Sequence, residues 1–237
     1  MTITSTHNRR LKEIRKLRMR KRWRERAGRF VAEGEDLLQA ADAAGWSAVE
    51  RYCAAGSGLS GVEVEPELLA SASGIASGTR ALAVYEERWL AEPVGALCVY
   101  LHGVQDPGNV GAILRSAEAF GASSVALGKG SADPYSPKAV RASMGAIFAV
   151  PVAHAPDLER LPGHRIALVP GEGVELRDIA APEAFTLMVG AERDGLPEKA
   201  VGAADEVAHI PIATDSLNAA MAATIALYEL AHRISSR

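Results

Sequence analysis

Six short, nearly uninterrupted apolar runs constrain this chain more than any other feature. They are ALCVYLHG, SSVALGKG, IFAVPVA, RIALVP, FTLMVG and EVAHIPI, spread between residues 96 and 212. Helical patterns separate them. A strand that is apolar at every position is buried on both faces, so runs of this kind alternating with helices predict a parallel sheet covered on both sides. In such a sheet, sites lie at the carboxyl ends of the strands. The usual fingerprints of that architecture are missing. No G-x-G-x-x-G follows the first run, and no G-x-x-x-x-G-K-[ST] occurs anywhere. A conventional dinucleotide site or P-loop is therefore not expected.

Residues 1–88 have a different texture and predict a small α/β unit. A basic helix over roughly 8–27 comes first. It is followed by a strand at RFVAEG, a helix at EDLLQAADAAG, strands at AVERYCA and RALAVYE, and a short helix near PELLASA. Residues 89–94 carry polar groups and a proline and are expected to be a linker to a second domain spanning 95–237. With 237 residues and 48% apolar content, the chain is long enough for a sizeable core. No apolar run reaches the roughly 18 residues of a membrane span. Two widely spaced cysteines, Cys53 and Cys98, make neither a zinc pattern nor a disulfide framework. These features predict a cytoplasmic protein, and no metal site is expected.

The net charge of −3 conceals a strong asymmetry. Residues 8–29 hold 12 Lys/Arg against Glu13 and Glu25, a local +10. The remaining 14 basic and 27 acidic residues carry −13. A concentrated basic segment on an acidic chain is the footprint of a polyanion partner. Arg9, Arg10, Lys12, Arg15, Arg18, Lys21 and Arg22 are the candidate nucleic-acid contacts, with Trp23 and Trp46 as stacking or packing groups.

Three loops carry candidate chemistry. In the first, Asp106-Pro107 opens a helix, Asn109 is placed in the turn leading into it, and Arg115 lies one or two turns further on. In the second, a buried strand ends at Gly190, where a missing side chain admits close approach to the backbone, and Glu192 follows. In the third, Thr214-Asp215-Ser216 runs into the last helix. Ser216 is placed to cap that helix through its hydroxyl, whereas Asn218 has no such structural need. The helix repeats Leu217, Met221, Ile225 and Tyr228 at amphipathic spacing. Tyr135, Lys138, Arg141 and Ser143 lie in a loop region that could approach substrate, while His102 and His209, at strand ends, read as structural.

Together the three loops resemble the SpoU/TrmH family of RNA ribose 2′-O-methyltransferases, within the SPOUT class. NVGAILRSAEAFGA, VGAERDGL and IPIATDSLNAAMA are similar to the family's three signatures and occur in the family's order, and the resemblance covers about 95–235. The N-terminal segment is similar to the family's appended RNA-binding domain. The resemblance implies a trefoil knot near the C-terminus and S-adenosylmethionine as cofactor. Gly190, Ile210 and Leu217 would contact it, with the loop around Val169 and Gly171 close by. It also implies a catalytic Arg115 supported by Asn109, Glu192, Ser216 and Asn218. Arg115's planar fork suits the ribose-phosphate. The substrate would be structured RNA, ribosomal RNA ahead of transfer RNA. The alternative is a non-catalytic RNA- or ribosome-binding protein of the same fold. A homodimer is implied too, with Ala219, Ala220, Ala222, Ala223 and Ala226 allowing close approach along the last helix. Only IATD separates Pro211 from Ser216, shorter than the family's usual stretch, which predicts a tighter loop over the cofactor.

Overall fold

The computed structural model describes residues 2–73, 78–180 and 183–235. Residues 1 and 74–77, in the expected N-terminal unit, and 181–182 and 236–237, in the expected second domain, lie outside the described residues.

The N-terminal unit runs α1 (Arg9–Met19), α2 (Lys21–Ala27), β1 (Arg29–Glu33), α3 (Glu35–Ala43), β2 (Glu50–Ala54), β3 (Val62–Val64), α4 (Pro66–Ser73) and β4 (Ala81–Glu86). Its strands form one sheet in the order β1-β4-β2-β3. Strand β4 pairs antiparallel with both β1 and β2, and β3 adds parallel to β2. Period-2 alternation divides the sheet's residues between two cores. Val31, Tyr52, Leu82 and Val84 pack with Leu11, Ile14 and Leu17 of α1 and Leu69 of α4. Phe30, Ala32, Ala83 and Tyr85 face the other way and join the main core of the molecule.

The single basic helix expected over 8–27 is broken. Arg20 is extended, at φ −140° and ψ 122°. On an unbroken helix Arg24 would fall on the stripe of Leu17, seven residues earlier, and face the same apolar core. The break turns α2, and the buried Arg24 guanidinium instead donates to the Leu17 carbonyl (2.7 Å) and to Asp133 of the second domain (2.6 and 2.8 Å).

The second domain contains β5 (Trp89–Leu90), β6 (Leu97–Leu101), α5 (Pro107–Ala119), β7 (Ser124–Leu127), α6 (Pro137–Ala142), α7 (Ala146–Ala149), β8 (Val152–His154), β9 (His164–Leu168), β10 (Val174–Glu175), β11 (Phe185–Val189), α8 (Glu198–Gly202), β12 (Glu206–His209) and α9 (Ala219–Ser235). Among the described residues its eight strands lie in the order β10-β12-β9-β11-β6-β7-β8-β5, every pair parallel. The parallel, doubly covered sheet expected from the apolar runs is present.

Three local expectations change. Trp89–Leu90, expected in a linker, pairs with β8 as the sheet's edge strand. The IFA of IFAVPVA forms the short helix α7, and the strand begins only after Pro151. In α9 the small residues turn inward: Ala219, Ala220, Ala223 and Ala226 are buried with Leu227 and Leu230, while Met221, Ile225 and Tyr228 are exposed. The alanines let α9 lie close on α5 and β11, and Ser116 and Thr224 share a 2.6 Å hydrogen bond across that contact.

The two domains are fixed to each other. Phe30 packs on Tyr135 with ring centroids 4.6 Å apart, and the Trp46 indole N–H donates to the Phe148 carbonyl at 2.8 Å. Glu33 is buried between Arg18 and Arg141.

Candidate active site

Each of the three loops has a local reason for its shape. Helix α5 starts at Pro107, with the Asp106 carboxylate accepting from the Gly108 N–H at 2.6 Å. Lys138 donates to the same carboxylate at 2.8 and 3.0 Å and holds its pKa below the usual aspartate range. Asn109 is the third residue of α5, inside the helix rather than in a turn ahead of it, and Arg115 is nearly two turns further along the same helix. The second loop is pinched at its base: Ala191 and Gly195 exchange two backbone hydrogen bonds of 3.1 and 3.0 Å. Gly190 makes this possible, because a Cβ there would overlap the Gly195 carbonyl and the Leu196 nitrogen. Glu192, Arg193 and Asp194 are thereby held out from the end of β11.

At the third loop the expected division of labour is reversed. Asn218, not Ser216, is the cap of α9. Its Oδ1 accepts from the N–H groups of Ala220 (2.9 Å) and Met221 (3.3 Å). The Ser216 hydroxyl makes no capping bond among the described residues. Ser216 is exposed, and its carbonyl accepts from Thr214 at 3.4 Å.

The three loops meet through one hydrogen-bonded chain. Asn218 Nδ2 donates to Asn109 Oδ1 at 3.0 Å, and Asn109 Nδ2 donates to Glu192 Oε1 at 2.6 Å. Each amide uses its oxygen in one direction and its nitrogen in the other, which fixes both orientations. The chain stands beside an open cleft of 720 Å³ at the carboxyl ends of β9, β11 and β12, a size usual for a small-molecule site. Val169, Gly190, Ile210 and Leu217 line it, together with Glu192 and Ser216. Gly171 does not, although its neighbours Pro170 and Glu172 do. Arg193 and Asp194 also line the cleft. They were not singled out from the sequence, although the Asp-Gly pair at 194–195 marks the turn that places them. Arg115 is not on the cleft wall. It is exposed on α5, and no ion pair or side-chain hydrogen bond holds it among the described residues.

The candidate RNA contacts divide. Arg9, Lys12 and Arg22 are exposed and make no ion pair among the described residues. Arg10 pairs with Glu50 at 3.1 Å and Lys21 with Glu25 at 3.7 Å, both in solvent, and Arg15 donates to the Thr6 carbonyl at 3.2 Å. Arg18 does not belong with them. It is ion-paired to the buried Glu33 and donates to the Ala72 carbonyl at 2.7 Å, so it is part of the fold. Lys16 and Arg26 both lie over the Trp23 ring, while Trp46 is buried. Tyr135 is not presented on the surface: it is buried, its hydroxyl donates to the Arg88 carbonyl at 2.6 Å, and burial raises its pKa. Ser143 is also buried and donates to the Val140 carbonyl at 2.8 Å. His102 hydrogen-bonds the Tyr100 hydroxyl at 2.9 Å and His209 the Glu172 carbonyl at 3.2 Å.

Comparison with known proteins gives the family. Residues 96–228, more than half of the chain, match the SpoU rRNA Methylase family. The chain belongs to that family. Residues 8–88 of this SpoU methylase match a second profile, the MRM3-like substrate binding domain. Its fold superposes on the AdoMet-bound rRNA methyltransferase of Sinorhizobium meliloti with a TM-score of 0.87 and 32% identity, covering 98% of this chain and 97% of that one. It is 26% identical to the 23S rRNA (guanosine(2553)-2′-O)-methyltransferase RlmP of Bacillus subtilis, over 96% of this chain and 98% of that protein. A 135-residue stretch is 45% identical to ribosomal RNA small subunit methyltransferase G 2 of Syntrophobacter fumaroxidans, but it spans only 26% of that protein's length.

Proposed function

We propose that this SpoU methylase transfers a methyl group from S-adenosylmethionine to a ribose 2′-hydroxyl of ribosomal RNA. The observation that carries the reading is the Asn218–Asn109–Glu192 chain, which brings the three signature loops together beside the cleft.

The cleft suits the cofactor. Its walls are largely backbone and aliphatic, with Gly190 and the Ile210 and Leu217 segments offering main-chain groups to an adenine edge, and Glu192 and Asp194 offering carboxylates for a cationic or hydroxylated portion. Bound there, S-adenosylmethionine supplies a methyl group activated by its sulfonium. The remaining work falls to the chain's own residues. A ribose hydroxyl is a weak nucleophile and needs a base or a positioned cation. Arg115 is an exposed cation without a competing carboxylate among the described residues, available to a ribose-phosphate. Asn109, Asn218 and Glu192 hold the polar wall in one orientation, and Ser216 presents a hydroxyl to the cleft.

The same reading takes Arg9, Arg10, Lys12, Arg15, Lys21 and Arg22 as the RNA-facing surface of the N-terminal domain, and places the chain in the cytoplasm with its RNA. Among the described residues no helix is long and apolar enough to cross a membrane. It also includes a trefoil knot involving the loops around the cleft, and a homodimer joined through the exposed Met221–Ile225–Tyr228 face of α9.

The test is methylation of ribosomal and transfer RNA in vitro, followed by nuclease digestion and mass analysis of the nucleosides. One ribose-methylated nucleoside from ribosomal RNA is expected. Methyl on a base overturns the reaction assignment. RNA binding with neither transfer nor heat on titration with S-adenosylmethionine leaves a non-catalytic RNA-binding protein.

A further inference from the structure

A second cavity, of 440 Å³, lies along the same carboxyl edge of the large sheet. The turn after β7 and the end of β8 form its floor, and α2 of the N-terminal domain forms a wall. Strands in a sheet are spaced about 4.8 Å apart, so the ends of β7 and β8 stand about 10 to 14 Å from the end of β11, where the methyl-transfer loops converge. The cavity is preorganised, because the buried Arg24–Asp133 pair and the Phe30–Tyr135 contact fix the two domains on either side of it.

Its chemistry is specific. Trp89 and His154 stack face to face, ring centroids 3.8 Å apart and planes 17° apart, with Tyr135 edge-on to Trp89 at 5.3 Å. His154 is partly desolvated and lies near Lys21, and both effects lower its pKa and favour a neutral ring. Beside this stack the Trp89 indole N–H donates to Glu87 Oε2 at 3.0 Å, which orients the carboxylate; Oε1 has no partner among the described residues. The other two carboxylates in the wall have cations, Asp133 with Arg24 and Glu25 with Lys21. Glu87 makes no ion pair among the described residues; burial raises its pKa, as do the neighbouring Asp133 and Glu25, while the Trp89 hydrogen bond and Arg24 oppose the rise, so this acidic wall offers a hydrogen-bond acceptor and is unsuited to a phosphate.

We propose that this cavity is a guanine subsite for an unpaired base of the RNA substrate, distinct from the nucleotide that is methylated. A base stacked on the His154–Trp89 pair would present its edge to Glu87. Guanine carries two adjacent donors, N1–H and the N2 amino group, which a carboxylate accepts together. Adenine and cytosine each set an acceptor beside their donor, and uracil flanks its single donor with two carbonyls, so all three meet the carboxylate with a repulsive oxygen or nitrogen. Lys21, which lines the α2 wall and pairs loosely with Glu25 in solvent, would turn from it to meet the guanine O6. Arg22 next to it and the exposed basic face of α1 continue as a surface for the flanking phosphates. The proposal rests on the reading of the protein as an RNA-modifying enzyme, and its test does not depend on methyl transfer.

The experiment is calorimetric titration of the full-length protein with each of the four nucleoside 5′-monophosphates, with and without saturating S-adenosylhomocysteine. Guanosine monophosphate is expected to bind about tenfold or more tightly than the other three, since a bidentate base contact is worth that much discrimination. S-adenosylhomocysteine should leave this preference unchanged. Glu87→Gln, isosteric but with one donor replacing an acceptor, should reduce the preference below about twofold, and Trp89→Phe, which keeps a ring but loses the orienting N–H, should reduce it partially. Equal affinity for the four nucleotides, an unchanged preference in Glu87→Gln, or displacement of guanosine monophosphate by S-adenosylhomocysteine would overturn the proposal. Failure of S-adenosylhomocysteine to bind at all would instead count against the methyltransferase reading.

Discussion

Asn218 is both the cap of α9 and a donor to Asn109, at 3.0 Å, across a separation of 109 residues. The end of one helix and the first turn of another are thus locked by a single side chain. Two substitutions separate its roles. Asn218→Ala loses the cap and the link, and should lower stability by about 1 kcal/mol along with methyl transfer. Asn218→Asp keeps an acceptor for the helix N–H groups but sets a carboxylate against the Asn109 oxygen. It should recover most of the thermal stability and little of the single-turnover rate. Equal recovery of both would mean that the residue acts only as a cap.

The basic surface is best tested by substitution, because Leu11, Ile14 and Leu17 of α1 are core residues and truncating the segment would open the N-terminal domain. Replacing Arg9, Lys12 and Arg22 together with alanine should weaken RNA binding and flatten its salt dependence. Each lost phosphate contact contributes about 0.7 to 0.9 to the slope of log K against log salt, by analogy with DNA. Arg18→Ala is the contrasting case. It should destabilise the fold by leaving Glu33 buried with less compensation. An unchanged slope in the triple variant would remove α1 and α2 from the RNA interface.

The homodimer is tested at Ile225, which is 42% exposed on the outer face of α9 between Met221 and Tyr228. Ile225→Glu buries no charge within the protomer. It should leave the thermal transition of the isolated chain nearly unchanged while shifting the mass measured by light scattering from dimer to monomer. A monomeric wild-type protein at micromolar concentration ends this prediction.

Arg165 ties the start of β9 to the loop before β12. Its guanidinium and backbone N–H all donate to Asp205, at 2.9 to 3.0 Å, with His164 nearby. These bonds depress the carboxyl below its ordinary pKa of 3.8. A depressed acid stabilises the fold above its unfolded pKa, and that contribution disappears as pH falls through the folded value. The pair is largely solvated, so the effect should be modest. Asp205→Asn should lower the melting temperature at pH 6 to 7, and the difference from wild type should narrow below about pH 4. A constant difference down to pH 2 would show that the carboxylate charge is not the cause.

What the sequence disclosed follows from how local each cause is. A strand buried on both faces is apolar at every position, so β6, β7, β9 and β11 stood out. Val174–Glu175 and Trp89–Leu90, two-residue strands at the two sheet edges, have no periodicity to read. The break at Arg20 depends on Asp133, more than 100 residues away, and helical spacing cannot register such a partner. The stripe of Met221, Ile225 and Tyr228 was periodic, but periodicity does not say which side of a helix meets the protomer's own core. Here the small residues do, because α9 must lie close to α5. Ser216 and Asn218 both stood out in the sequence, yet their expected capping roles were exchanged, since a hydroxyl and a carboxamide two residues apart are equally competent caps until the first helical turn is placed.

Arg115 remains the residue on which the proposed chemistry turns, and its position makes the prediction sharp. It stands on α5, outside the cleft lined by Gly190, Ile210 and Leu217, with its guanidinium exposed and no ion pair among the described residues. Removing it should therefore leave the affinity for S-adenosylmethionine nearly unchanged. Loss of a positioned cation at a reacting ribose-phosphate should lower the single-turnover rate by about 10²–10³-fold. Arg115→Lys should fail almost as badly, because an ammonium is a point charge without the planar fork that grips a phosphate. A stability effect does not confuse the result: the side chain is exposed and makes no ion pair or side-chain hydrogen bond among the described residues, so both variants should melt within a degree or two of wild type. Rates measured with RNA and cofactor both saturating separate the chemical step from binding. Near-normal turnover in Arg115→Ala would withdraw the residue from the mechanism and leave activation of the 2′-hydroxyl to Glu192, Ser216 or the RNA itself.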